Sequence, residues 1–276
     1  MFRKMLWVLA AVAASVFAVS PAMATAGDRG HLVSAAWLAQ NLKSEDLLVL
    51  DASPPPMYAA KHIPGAINVD VFTYGAQEIP AAEMERRFQS WGISAGKKIV
   101  IYDQGGSYMA TRLFFDLYYQ GFPATDLLVL DGGLAKWQEV GGQVTKEPTP
   151  TPTPGSFRIT RTNDSARVRL PEFLAASGDP TNQVLVEALE PTYHFGENKF
   201  FDRSGHIPNG IMLPTADFFN ADKTFKSDEE LRRMLAYLGV KPEQKIHAYC
   251  GGGIAASVPF FALKFVLNYP NVTLYK

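Results

Sequence analysis

Short, fully apolar runs alternate along the chain with segments that have the hydrophobic spacing of helices. In the first half, apolar runs at residues 47–50, 99–102 and 127–130 are separated by helical patterns at 82–91 and 109–121. Unbroken apolar runs between amphipathic helices are typical of a parallel sheet covered by helices on both faces. The pattern therefore predicts an α/β protein whose ligand sites lie beyond the carboxyl ends of the strands.

The chain contains this pattern twice. The heptapeptide Lys97-Lys98-Ile99-Val100-Ile101-Tyr102-Asp103 recurs 147 residues later as Gln244-Lys245-Ile246-His247-Ala248-Tyr249-Cys250. A His-Ile-Pro box occurs in both halves, beginning at His62 and at His206. The period is far longer than that of a solenoid repeat, so it indicates a duplicated domain.

Alternating proline and threonine separate the two copies. Prolines lack an amide donor and favour extended geometry, so residues 146–156 are predicted to be a semi-rigid linker. We place the first domain at residues 28–145 and the second at residues 157–276.

The N-terminus has the features of a secretory signal peptide. Arg3 and Lys4 precede an apolar stretch at residues 5–19, and a small-residue cleavage site ends at Ala24. We expect cleavage there, export to the periplasm and no stable membrane insertion afterwards; an uncleaved anchor is the alternative. Cleavage removes two positive charges and no acid, so the net charge of −1 becomes −3. This mild acidity argues against a nucleic-acid partner.

The single cysteine, Cys250, follows an apolar run and precedes three glycines and a helical pattern. Glycines let backbone N–H groups turn inward, and a helix N-terminus adds partial positive charge, so both favour a thiolate. The alternative is a buried, inert cysteine beside a structural turn. A lone cysteine forms no internal disulfide, and no Cys/His cluster has the spacing of a zinc site, so no metal is expected.

Three elements together carry a resemblance to a known family. They are the two His-Ile-Pro boxes, the run Val129-Leu130-Asp131-Gly132-Gly133 followed by Trp137, and Tyr249-Cys250 with its glycine-rich loop. Over nearly all of residues 31–276 the chain resembles the tandem-domain rhodaneses, which are thiosulfate and 3-mercaptopyruvate sulfurtransferases. The resemblance implies two rhodanese-like domains, each a mainly parallel sheet with helices on both faces. It also implies an inactive first domain, since Asp103 replaces the cysteine there.

The same resemblance implies a ping-pong sulfur transfer without metal or organic cofactor. Cys250 would take sulfur from a small anionic donor as a persulfide and pass it to a thiophilic acceptor, either cyanide or a thiol. The backbone of the loop would cradle the sulfur and the donor oxyanion, and Arg203 is a candidate for charge near the donor. The predicted loop residues are Gly251, Gly252, Gly253, Ile254, Ala255 and Ala256.

The chain departs from the family in three places. The arginines expected in the second domain are absent from residues 187–189 and 193–196, and Ala255 stands where a hydroxyl is usual, leaving Ser257 as the nearest one. A Gly-rich turn and a tryptophan are expected after Lys276, so the sequence is either a fragment or its second domain is completed differently. The donor type stays open.

Two other functions compete with sulfur transfer. Cysteine phosphatases need an arginine at the end of the loop, where Ala256 stands, which excludes that activity. A non-catalytic sulfur carrier or binding module with the same fold stays open. The boxes containing His62 and His206 are predicted to be structural turns because both copies have them, and His247 is predicted to be a strand residue.

Overall fold

The computed structural model describes residues 29–276, which form two five-stranded sheets with all strands parallel. The predicted signal peptide, residues 1–24, lies outside the described residues, as does residue 28. In each half of the chain, strands of one sheet alternate with helices. The predicted α/β class with two tandem domains is therefore confirmed.

The first sheet has the strand order β1-β5-β4-β2-β3, and every neighbouring pair in it is parallel. Its strands are β1 (Leu32–Val33), β2 (Leu47–Asp51), β3 (Ile67–Asn68), β4 (Lys98–Tyr102) and β5 (Leu127–Leu130). Its helices are α1 (Ala35–Asn41), α2 (Pro55–Ala60), α3 (Ala81–Ser90), α4 (Met109–Tyr119) and α5 (Gly133–Glu139), with 3-10 turns at Val71–Thr73 and Ala124–Asp126.

The second sheet repeats this order as β6-β10-β9-β7-β8. Its strands are β6 (Arg167–Val168), β7 (Gln183–Glu187), β8 (Gly210–Met212), β9 (Lys245–Tyr249) and β10 (Val272–Tyr275). Its helices are α6 (Leu170–Ser177), α7 (Pro191–His194), α8 (Asp228–Tyr237) and α9 (Ser257–Phe261), with 3-10 turns at Asp164–Ala166 and Thr215–Phe218. A wider π-helical turn, Ala262–Val266, continues α9.

The two domains meet along α4 and α9, whose buried aromatic side chains form one continuous core. The rings of Phe114 and Phe261 lie edge to face with centroids 4.9 Å apart. These two residues are 147 positions apart, so they are the same position in the two copies and meet near an approximate two-fold axis. The Thr111 and Ser257 hydroxyls also hydrogen-bond across this contact at 2.8 Å. The packing therefore joins the domains through apolar surface that each would otherwise expose.

The proline-rich segment is extended and lies against the first domain. The Gly155 N–H donates to the Gln89 carbonyl at 2.7 Å. Phe157, at the predicted start of the second domain, is buried between Phe88 and Phe122 of the first. The chain thus stays attached to the first domain for several residues beyond the predicted linker. Among residues 29–276, no helix is both long and apolar enough to cross a membrane.

Candidate active site

Cys250 lies directly after β9, at the carboxyl edge of the second sheet, and is half-buried. The loop turns back so that the Gly253 N–H donates to the Cys250 sulfur at 3.1 Å. Gly253 has a φ of +76°, a conformation that glycine adopts without strain. Gly251 is needed for a different reason: a Cβ there would lie 3.0 Å from the Phe200 ring. The glycines therefore wrap the loop around the sulfur and admit an aromatic ring above it.

The first domain anchors this loop through Arg112, a residue of α4. The guanidinium is completely buried, and its Nη1 donates to the Gly253 carbonyl at 2.9 Å. The Nε and Nη2 groups donate to the Asp116 carboxylate at 3.0 and 2.7 Å. One glycine thus links the two domains: its carbonyl accepts from Arg112 and its N–H donates to Cys250.

Two cavities meet at Cys250. They share Leu189, Tyr193, Phe200, Phe201 and Gly251 as lining residues and differ in the charged side chains of their remaining walls. The first, which we call the apolar cavity, has a volume of about 480 Å³ and includes Gly251, Gly252, Ile254 and Ala255. Its walls are mainly aromatic: Phe72, Tyr108, Tyr193, Phe200 and Phe201. The second, which we call the polar cavity, has a volume of about 350 Å³ and is lined by Cys250 together with Glu187, Asn198, Lys199, Arg203 and His206.

Burial is the main cause that raises the pKa of Tyr108, with a smaller contribution from Cys250. Its hydroxyl therefore stays protonated at neutral pH, where it can donate a hydrogen bond into the apolar cavity.

The structure brings most, but not all, of the predicted site residues together. Arg203 lies in the polar cavity beside Cys250. Gly253 faces Arg112 and contributes its N–H to the site, whereas Ala256 is fully buried in the core between the domains. Ser257 does not supply the missing hydroxyl, because it is buried and its oxygen donates to the Ile254 carbonyl.

The equivalent loop of the first domain is already filled by the side chain of Asp103. The Asp103 carboxylate accepts from the Gly105 N–H at 2.8 Å and from the Ala110 N–H at 2.9 Å. Asp103 is only 4 % exposed, and burial raises the pKa of its carboxyl. The Lys223 side chain lies over Gly105 and covers this loop from the second domain. The amide groups that would bind a thiolate or a donor are therefore occupied from within.

The histidine of each box has a backbone partner. His62 is buried, whereas His206 is exposed and lines the polar cavity with Cys250. The His62 Nδ1 group donates to the Tyr58 carbonyl at 2.9 Å, and the His206 Nδ1 group donates to the His194 carbonyl at 3.0 Å. His206 also stacks on His194, with ring centroids 3.7 Å apart, and His194 hydrogen-bonds the buried carboxylate of Glu187. Glu187 and His194 had no signal in the sequence, because they are joined only when α7 packs beside β7.

His247 is a buried strand residue, as predicted. Its Nε2 group donates to the Gln183 side-chain oxygen at 3.0 Å, and its Nδ1 atom accepts from the Thr273 hydroxyl at 2.6 Å. Both ring nitrogens are thereby used by a neutral imidazole. Burial lowers the pKa of His247 to about 4, so His247 serves the packing of the sheet.

Comparison with known proteins identifies the family of the chain that has this site. The family model described as "Rhodanese-like domain" matches residues 34–140 of this chain. A Pseudomonas aeruginosa protein named "Probable 3-mercaptopyruvate sulfurtransferase" is 31 % identical over 266 residues, covering 89 % of this chain and 92 % of that protein. The chain belongs to the rhodanese family of sulfurtransferases. The tandem-domain resemblance drawn from the sequence is thereby confirmed.

Two further relatives extend this result. The Thermus thermophilus "Sulfur carrier protein TtuD" is 30 % identical over 264 residues, covering 88 % of this chain and 90 % of that protein. The crystal structure of the Escherichia coli 3-mercaptopyruvate sulfurtransferase SseA has 25 % identity and a TM-score of 0.77, covering 89 % of this chain and 97 % of that one. Sulfur transfer is thus the chemistry common to these relatives. In the described part of this rhodanese, no group of three or more His, Cys, Asp or Glu side chains is arranged to hold a metal ion.

Proposed function

We propose that this protein transfers a sulfane sulfur from a small anionic donor, thiosulfate or 3-mercaptopyruvate, to a thiophilic acceptor through a persulfide on Cys250. The observation that carries the proposal is the position of the Cys250 sulfur. It accepts the Gly253 N–H at 3.1 Å and lies where two adjoining cavities meet, of which only one has the basic side chains Lys199 and Arg203 in its wall. One sulfur atom can thus be reached by two different substrates.

With thiosulfate as donor, the first half-reaction balances without a further reactant. The Cys250 thiolate attacks the outer sulfur, the S–S bond of thiosulfate breaks, and sulfite leaves with the bonding electron pair. The Gly253 N–H stabilises negative charge on the sulfur before and after this step. The second half-reaction returns Cys250 to the thiolate when an acceptor attacks the outer sulfur of the persulfide.

The donor is assigned to the polar cavity, because Lys199 and Arg203 lie there and the apolar cavity has no basic side chain among the described residues. Both cations are exposed, so each should contribute modest attraction to a donor. Arg203→Gln and Lys199→Gln should each raise the KM for thiosulfate a few-fold, and the effect should shrink as salt is added.

A sulfur-carrier function is the second candidate, and the relative named as a sulfur carrier favours it. A carrier would bind sulfur on Cys250 by the same first step but release it only to a specific partner. The two functions differ in the second half-reaction, so turnover with a simple thiol separates them.

The deciding experiment is intact-mass spectrometry of the reduced protein after incubation with thiosulfate or with 3-mercaptopyruvate. The proposal expects the gain of one sulfur atom with at least one donor, and no gain in Cys250→Ser. The absence of added sulfur with both donors, in protein whose circular dichroism is that of the folded chain, would refute a persulfide on Cys250.

We also propose export to the periplasm through residues 1–24. The basic residues Arg3 and Lys4, the apolar stretch and the small residues before Ala24 support this proposal. N-terminal sequencing of the protein from a periplasmic fraction would test it, with Thr25 expected as the first residue.

A further inference from the structure

The apolar cavity has a composition unsuited to a small anionic substrate. Five aromatic rings, several aliphatic side chains and the loop glycines form its walls. Among the described residues that line it, Glu190 is the one charged side chain apart from the cysteine itself, and it is an acid. A cyanide ion or an anionic thiol entering here would lose hydration and meet negative charge without a compensating cation.

The aromatic walls are positioned to hold an organic group beside the sulfur. The Phe200 ring stacks on Tyr193 with centroids 4.3 Å apart and lies above Gly251. On the opposite side, Phe72 and Tyr108 approach from the first domain, with their rings 6.3 Å apart in an edge-to-face arrangement. A volume of about 480 Å³ between these walls is in the usual range for small-molecule sites.

We propose that the apolar cavity is the acceptor site and that it selects thiols with an uncharged aromatic or alkyl body. Such a thiol buries its apolar part between the rings and places its sulfur at the persulfide, while the donor uses the polar cavity. The inactive first domain then has a direct role in specificity, because Phe72, Ala76 and Tyr108 belong to it. This inference rests on the proposed function and specifies its second substrate.

The transfer step is balanced. The acceptor thiolate attacks the outer sulfur of the Cys250 persulfide, a new S–S bond forms on the acceptor, and the S–S bond to Cys250 breaks. The electron pair of that bond returns to Cys250 as a thiolate, and the product is the acceptor persulfide. No outside oxidant or reductant takes part.

The test compares three primary thiols as acceptors after Cys250 has been loaded with sulfur: benzyl mercaptan, 2-mercaptoethanesulfonate and 2-aminoethanethiol. The single-turnover loss of sulfur from Cys250 is followed by intact mass. The proposal expects kcat/KM for benzyl mercaptan to be at least roughly tenfold above that of the sulfonate thiol. An equal or higher value for the sulfonate thiol would overturn it. A preference for 2-aminoethanethiol over benzyl mercaptan would also overturn it, since the selection would then come from the charge of Glu190.

Substitutions in the wall of the apolar cavity, compared with a control outside it, distinguish a specific contact with the acceptor from a general loss of activity. Phe72→Ala should lower kcat/KM for benzyl mercaptan about fivefold more than for the sulfonate thiol, because it removes one of the two aromatic side chains that line the apolar cavity but not the polar one. Phe195→Ala is the matched control: this ring is 70 % exposed and lines neither cavity. Equal losses for both thiols in Phe72→Ala would contradict the assignment. Glu190→Gln should raise kcat/KM for the sulfonate thiol, because it removes the one acidic side chain of the wall.

Loading Cys250 with sulfur before the acceptor is added distinguishes a failure of the proposed function from a failure of the acceptor assignment. If Cys250 takes no sulfur from any donor, the proposed function fails before the acceptor is added. If Cys250 is loaded but releases its sulfur equally to all three thiols, sulfur transfer stands and the acceptor assignment fails.

Discussion

The Arg112 guanidinium of the first domain donates to the Gly253 carbonyl of the second at 2.9 Å, and the N–H of the same glycine donates to the Cys250 sulfur. The first domain therefore fixes the position of an amide beside the cysteine of the second. The position that corresponds to Arg112 in the second copy, 147 residues later, is Pro259. Proline has no side-chain donor, so within residues 29–276 the guanidinium contact has no counterpart at this position, and the second domain reaches the Asp103 loop through Lys223 instead.

Arg112→Met should destabilise the protein and slow its loading with sulfur. It removes the guanidinium that pairs with the buried Asp116 carboxylate and leaves Lys276 as the cation near it, which costs about 3–5 kcal/mol of unfolding free energy. The double variant Arg112→Met/Asp116→Met removes both charges and should recover most of that stability. Urea unfolding measures the stability, and intact mass measures the rate of sulfur uptake.

In the double variant, the stability should recover whereas the rate of sulfur uptake should not. Sulfur uptake by Cys250 should stay at least roughly tenfold slower than in the wild type, because the Gly253 carbonyl has lost its anchor. Wild-type uptake in the recovered double variant would show that Arg112 acts on stability alone. Arg87→Met is the control, since its ion pair with Glu83 is partly exposed and should change stability by less than about 1 kcal/mol.

The aromatic contact between the domains should make them unfold together. Phe114→Ala or Phe261→Ala should each cost about 3–5 kcal/mol, because each ring is fully buried. A double-mutant cycle should give a coupling of about 0.5–1.5 kcal/mol between them, in keeping with the edge-to-face geometry. Two separate unfolding transitions in the wild-type protein, seen by fluorescence and circular dichroism, would contradict a shared core.

A thiol moved to the first domain should not take up sulfur. In Asp103→Cys/Cys250→Ser the new side chain occupies a position that is only 4 % exposed and covered by Lys223, whereas Cys250 is half-buried at the junction of two cavities. Intact mass after thiosulfate treatment should show no added sulfur. Alkylation in denaturant confirms that the thiol is present. Sulfur gained at position 103 would show that burial is not what keeps this loop inactive.

Stability should fall in mild acid because of His247. Its pKa is about 4 in the folded protein, against an ordinary value of 6.5 for a histidine exposed to water, so between these values the unfolded chain binds more protons and stability decreases as the pH falls. The shift corresponds to about 3 kcal/mol, and access of water from the neighbouring cavity lowers this to about 2 kcal/mol. Well above pH 6.5 the imidazole is neutral in both states and contributes no pH dependence.

Urea unfolding of the wild type and His247→Gln between about pH 4 and 8 measures this effect. Between pH 6.5 and 4, the unfolding free energy of the variant should decrease substantially less than that of the wild type. Well above that range, the unfolding free energies of the two proteins should change with pH in parallel. An unchanged slope in the variant would assign the acid sensitivity to other groups.

The fold could be predicted because its signals can be read from the sequence without knowledge of tertiary contacts. Apolar runs such as residues 99–102 specify buried parallel strands, and the repeat of 147 residues identifies the second domain. The loop after Cys250 could likewise be predicted, because three consecutive glycines have few purely structural explanations. The predicted backbone donation to the sulfur is present at Gly253.

The parts of the site that were missed depend on contacts distant in sequence. An apolar helix face such as that of α4 does not reveal which domain it packs against. Arg112 and Asp116 did leave one signal, an oppositely charged pair four residues apart in an otherwise apolar helix. The aromatic walls of the apolar cavity left none, because Phe72 and Phe200 meet Cys250 only after both domains have folded.

The buried contact of α4 with α9 also limits how this gene can change. A recombination event that separated the two halves would leave each product with an uncovered aromatic stripe, and both would be prone to aggregate. Sequence change in the first half is restrained in the same way, because a substitution at Phe114 or Arg112 alters the support of a thiol encoded more than a hundred codons away. The half that has Asp103 in place of the cysteine is therefore under the same selection as the half that has Cys250.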